Sequence, residues 1–140
     1  MRTLIWIMLA ILALQACDQS NETYKIEVSL EGSDGKWIKL MAREGRDYVT
    51  YDSAFAEAAN PAVLTKGIEG VNTMYLTVED MEGSIQLLVE NSSYNISGNL
   101  EDPVIRTDSK AQNDLNTYNE QSRTIRDQMT GLVAELRKGD

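Results

Sequence analysis

Between Tyr24 and Arg106 the chain alternates apolar and polar residues in short runs, and a turn signal interrupts each run after a few residues. Tyr24, Ile26, Val28 and Leu30 alternate with Lys25, Glu27 and Ser29. A side-chain period of two places the first four on one face of a strand. Glu31-Gly32-Ser33-Asp34-Gly35 then supplies a turn. Trp37–Ala42 repeats the pattern with Ile38, Leu40 and Ala42 on one face, and Arg43–Arg46 turns the chain. Asp47–Ala54 holds the strand-favouring Tyr48, Val49, Thr50 and Tyr51. Residues 55–61 end at Pro61 and predict a loop with no more than one helical turn. Ala62–Lys66, Thr73–Val78 and Ser84–Glu90 are further strands, the last with Ile85, Leu87 and Val89 inward. Asn91-Ser92-Ser93 leads into Tyr94–Leu100, and these last two strands predict a hairpin. Pro103–Arg106 adds a short edge strand. About seven short strands at intervals of roughly ten residues predict an antiparallel β-sandwich or open barrel. The strand-helix alternation of a parallel sheet is missing.

At Asp108-Ser109 the period changes. Ser109-Lys110-Ala111-Gln112 has the form of a capping box, in which the Ser109 hydroxyl accepts from the amide three residues on and Gln112 reaches back. One long helix follows to about Lys138, with Gly131 as its only glycine and no proline. Leu115, Tyr118, Ser122, Ile125, Met129, Leu132 and Leu136 are spaced alternately three and four apart, a heptad stripe. Arg137 and Lys138 complement the negative end of the helix dipole, and Gly139 is placed to supply C′. The stripe has two available fates. It packs on the domain's own sheet, or it meets another helix, a following domain or a second copy of the chain.

Composition removes several chemistries. The chain has no histidine and one cysteine, Cys17. A Ser-His-Asp triad, a Cys-x-x-Cys redox pair and a disulfide within the chain are therefore ruled out. Net charge is −9, which disfavours nucleic acid and anionic lipid surfaces as partners. The carboxylates Glu79, Asp80 and Glu82, and the pair Glu101 and Asp102, lack the spacing of a calcium loop and read as solvated turns. No catalytic, cofactor-binding or metal-binding residue is expected, and no cofactor.

The N-terminus carries a different signal. Thr3–Leu14 is an uncharged apolar run of 12 residues preceded by Arg2. It is shorter than the roughly 20 residues that span a bilayer, and it is followed by a small residue, Ala16, as in secretory signal peptides. Leu14-Gln15-Ala16-Cys17 resembles the lipobox of bacterial lipoproteins. That resemblance implies cleavage before Cys17 and a diacylglyceryl group thioether-linked to its sulfur. The expected organisation is a signal peptide over 1–16, a polar tether over 17–23, a β-sandwich over 24–107 and a connecting amphipathic helix over 108–140. The expected location is the cell envelope, lipid-anchored and facing the periplasm at the outer membrane.

Several short pieces are similar to a known family. They are Tyr51-Asp52-Ser53-Ala54, Leu88-Val89-Glu90-Asn91, Tyr94–Leu100, Ser109–Asp114 and Tyr118-Asn119. Together they resemble the domain of unknown function 4369 over about Tyr24 to Glu120. In Bacteroidetes lipoproteins that domain sits ahead of a thioredoxin-like thiol-disulfide oxidoreductase domain, joined by a helical segment. Such a domain would begin at about Asp140, so the redox residues of the resemblance have no counterpart between Met1 and Asp140. Val63-Leu64-Thr65 also replaces the family's Phe-rich strand. The resemblance implies an accessory or positioning module; the heptad stripe offers Leu115, Tyr118, Ile125, Met129, Leu132 and Leu136 as its contact residues, and the lipobox implies that the membrane is reached through Cys17. The alternatives are a stand-alone lipoprotein holding a small ligand on its sandwich, and a fragment of a longer oxidoreductase. Asp52-Ser53-Ala54 also resembles a short Bacteroidetes O-glycosylation acceptor at Ser53, against the plainer reading of a strand end where Asp52 bonds a turn amide.

Overall fold

The computed structural model describes residues 21–139. Cys17, the expected signal peptide over 1–16 and the first part of the expected tether lie outside the described residues. Among the described residues eight strands precede one helix: β1 (Tyr24–Leu30), β2 (Trp37–Glu44), β3 (Asp47–Phe55), β4 (Ala62–Lys66), β5 (Asn72–Val78), β6 (Ile85–Val89), β7 (Ser93–Gly98), β8 (Pro103–Thr107) and α1 (Lys110–Lys138). They form two four-stranded sheets, ordered β4-β1-β7-β8 and β3-β2-β5-β6. The architecture is the mainly β one expected, with open sheets rather than a closed barrel.

The alternation seen in the sequence builds one core between the sheets. Tyr24, Ile26 and Val28 of β1, with Tyr94 and Ile96 of β7, face Ile38 and Leu40 of β2, Leu76 of β5 and Leu87 of β6. All of these are buried. Each fully buried aliphatic side chain contributes about 1.5–3 kcal/mol. Residues 55–61 contain no helical turn; a tight turn closed by a bridge between Glu57 and Asn60 takes its place. Gly45 turns β2 into β3 at φ 64°, a conformation a side chain would oppose.

Two expectations about strand neighbours need correction. Ser84–Glu90 and Tyr94–Leu100 do not form a hairpin: β6 pairs with β5 in one sheet, and β7 pairs with β1 and β8 in the other. The short connection is a corner that passes between sheets. Asn91 holds it there, accepting from the Ile68 amide at 3.0 Å and donating to the Ile68 carbonyl at 2.8 Å. A hairpin and an inter-sheet corner show the same period of two, so inward-facing residues alone do not separate them. The sheets are also not wholly antiparallel, because β1 and β7 run parallel from Lys25↔Ser93 to Leu30↔Gly98.

A bulge marks β3. Leu40 pairs with Asp52 but Met41 pairs with Thr50, which leaves Tyr51 as the extra residue. The Tyr51 hydroxyl then donates to the Gly67 carbonyl at 2.9 Å, beyond the end of β4. Asp52 sits inside the strand and does not end it. Its Oδ1 accepts from the Ser53 amide at 2.9 Å and its Oδ2 from the Tyr24 hydroxyl at 2.7 Å, tying the two sheets together. Burial and this hydrogen bond to Asp52 hold the Tyr24 phenol above the usual tyrosine range.

Candidate functional site

The start of α1 closes the open corner between the edge strands β6 and β8. Ser109 is the N-cap, with extended backbone, and its hydroxyl accepts from the Gln112 amide at 3.2 Å. The same hydroxyl donates to Glu90 Oε1 at 2.5 Å, which anchors the helix start to the segment after β6. The reciprocal half of the capping box does not form. The Ser109 amide donates to Thr107 Oγ1 at 3.0 Å, and Gln112 turns inward. Gln112 Oε1 accepts from the Leu88 amide of edge strand β6 at 2.7 Å, and its Nε2 donates to Asn116 Oδ1 at 2.8 Å. Asn116 Nδ2 reaches the Ile105 carbonyl of β8 at 3.1 Å. Gln112 is fully buried, and its amide group replaces the neighbouring strand that β6 lacks.

Tyr94 braces the same corner from inside. Its hydroxyl accepts from the Glu90 amide at 2.9 Å and donates to the Leu88 carbonyl at 3.0 Å. Burial pushes its phenol up. Every backbone group of β6 that these contacts reach would otherwise be a costly unpaired group.

Beyond Asn116 the helix leaves the sandwich. Its last links are Leu115, half-buried at the junction, and the exposed ion pair of Arg123 with Asp102 at 2.9 Å. Ser122 is half-buried, but the apolar residues of the stripe beyond Leu115 are open: Tyr118 is 66% exposed, Ile125 58%, Met129 61%, Leu132 61% and Leu136 74%. Of the two fates available to the stripe, packing on the chain's own sheet is therefore not the one seen from Tyr118 onward among the described residues. Val133, outside the heptad positions, joins the exposed apolar surface, so the stripe broadens toward its end. Gly139 ends the helix as a right-handed C-cap at φ −88°, with its amide donating to the Leu136 carbonyl at 3.3 Å, and not as a left-handed C′ residue.

Ser53 is exposed on β3 opposite Lys39 of β2. β3 and β6 are the two outer strands of their sheet, and α1 docks at β6, so the two candidate sites are separate. Among the described residues no three Asp or Glu side chains are grouped to hold a metal ion, and no helix is long and apolar enough to cross a membrane. Gln112, Asn116 and Tyr94 are the working residues of the corner that sequence reasoning missed in that role. Gln112 carries a signal, since its spacing from Ser109 marks it as a capping residue, but nothing in that spacing tells which way its amide turns. Compared with family models, curated proteins and solved structures, the chain matches none.

Proposed function

We propose that this chain is a lipid-anchored cell-envelope module without catalytic residues, which uses the distal part of α1 to contact a protein partner. The observation that carries this reading is the exposed stripe from Tyr118 to Leu136 on a helix whose base is fixed to the sandwich. An apolar stripe of that length left in water marks an interaction surface. The polar base serves the same purpose, because a helix clamped at Ser109, Gln112 and Asn116 presents its far end in a defined direction. The pieces that resemble the domain of unknown function 4369 support an accessory role ahead of a thioredoxin-like domain. Leu88–Asn91, Tyr94 and Ser109–Gln112 meet at this one corner.

In that reading Cys17 carries the membrane anchor. Two acyl chains or more anchor stably, at about 0.8 kcal/mol per buried methylene, which a single chain does not achieve. The expected result of Cys17→Ser is release from membranes and loss of labelled fatty-acid incorporation. The expected result of Ile125→Asp with Leu132→Asp is a changed sedimentation profile or loss of partner capture, with the sandwich still folded. Sedimentation and capture both equal to wild type would sink the helix reading, and a wild type that takes up no lipid label would sink the anchor.

A further inference from the structure

We propose that the outward face of the β3-β2-β5-β6 sheet binds an acidic polysaccharide. The face has a ring pair at each end. Trp37 of β2 and Phe55 of β3 stack edge to face with centroids 5.5 Å apart, and Tyr48 of β3 and Tyr75 of β5 do so at 5.3 Å. Trp37, Phe55 and Tyr48 are each about half exposed, at 43%, 47% and 52%. Edge-to-face contact fixes each ring by its neighbour, so the rings are set before any ligand arrives. From Trp37 to the level of Tyr48 and Tyr75 the strand rises about 17 Å at 3.3 Å per residue, long enough for several sugar rings to lie along it.

The charge on this face runs against the rest of the molecule. Lys39 and Arg43 alternate outward with Trp37 and Met41 on β2. The carboxylates of β2 and β3, which are Glu44, Asp47 and Asp52, fall on the opposite alternation, as the pairs Arg43↔Tyr48, Glu44↔Asp47 and Leu40↔Asp52 require. β5 and β6 contribute no charged residue. Glu79, one residue past β5 and laddered with Trp37, adds an acid at that end, its Oε2 accepting from the Trp37 amide at 3.4 Å, so a chain of net −9 presents a face whose strands carry two cations with one acid at its rim. Ser53, Thr50 and Thr77 lie between the ring pairs and offer hydroxyls to a polyhydroxylated chain. A saccharide ring stacks its C–H face on an aromatic ring, while its carboxylate or sulfate pairs with Lys39 or Arg43. An extended peptide would instead add to a strand edge or use pockets for alternate side chains.

This inference stands apart from the helix reading, and neither falls with the other. The test is affinity electrophoresis of the full chain in detergent through gels holding polygalacturonate, neutral dextran or poly-glutamate. Because the protein and polygalacturonate are both anionic, retardation requires a local site. Polygalacturonate is expected to retard the wild type saturably and less so at high salt. Tyr48→Ala with Tyr75→Ala, and separately Lys39→Gln with Arg43→Gln, are each expected to weaken retention at least tenfold while circular dichroism stays unchanged. The proposal is overturned by no retardation, by equal retention on dextran, by equal retention on poly-glutamate (an acidic peptide site), or by a tyrosine variant that binds as wild type does.

Discussion

The two ends of α1 treat polarity in opposite ways. At its base Ser109 and Gln112 are polar and fully buried, while at its far end Leu132 and Leu136 are apolar and mostly in water. The base follows from hydrogen-bond accounting. Edge strand β6 presents amides that need partners, and an amide side chain satisfies both a donor and an acceptor where a leucine would satisfy neither. The far end follows from geometry. A straight helix tied to one corner leaves the sandwich behind after a few turns, at 1.5 Å per residue, and its apolar stripe then meets no surface of the sandwich among the described residues. Burial at the base is a requirement of the fold; exposure at the tip is not, and it is what the proposed partner contact would use.

Changes at the base break the comparison most severely. Gln112→Ala removes the acceptor of the Leu88 amide and the donor to Asn116, and is expected to cost about 2–3 kcal/mol. Thermal unfolding would show this as a drop in Tm of many degrees. An unchanged Tm would mean that water replaces the side chain and the corner is not sealed. Ser109→Ala removes the cap and the link to Glu90, an expected loss of about 1–2 kcal/mol measured by denaturant unfolding.

Tyr94→Phe is expected to cost about 1 kcal/mol at neutral pH, with a distinct pH signature. The buried phenols of Tyr24 and Tyr94 are both raised in the fold. Their full contribution is present below the unfolded-state pKa of about 10 and is lost as pH climbs above it, because the unfolded chain releases the protons first. Wild-type stability should therefore fall above about pH 10, and Tyr94→Phe should make that fall shallower. A wild-type profile that stays flat there would show that the phenols are not shielded.

At the tip the effects on folding shrink. Gly131→Ala adds a Cβ that meets nothing within 4 Å, so helix propensity alone acts, and helicity should rise with a gain of at most about 1 kcal/mol. Ile125→Asp with Leu132→Asp should move the stability of the isolated chain by less than about 0.5 kcal/mol, the range for exposed positions. A large loss of stability in denaturant unfolding would show that the stripe is packed on the sandwich after all.

What is legible in the sequence divides along the same line. Period two assigns inward faces correctly, from Tyr24 and Ile26 in β1 to Leu87 in β6, because burial is local to each strand. It does not reveal that β6 and β7 sit in different sheets, or that β1 and β7 run parallel, since facing does not fix which strand is the neighbour. The Ser109 cap is visible because its partner lies three residues away. Gln112's partner, Leu88, lies 24 residues away, and such a contact leaves no trace in local spacing. The extra residue at Tyr51 is hidden for a similar reason: a bulge shows only when the partner strand is known. The heptad stripe is plain to read, whereas its exposure depends on where the helix leaves the sandwich.

Amide hydrogen exchange along α1 tests the central claim most directly, compared between the chain in its native membranes and the same chain diluted to monomer in detergent. Amides from Gln112 to Asn116 are expected to stay protected in both, while those from Tyr118 to Leu136 exchange fast in the monomer and slowly in the membrane. Slow exchange at the tip of the monomer, or equally fast exchange there in both states, would contradict a helix fixed at its base and covered at its tip by a partner.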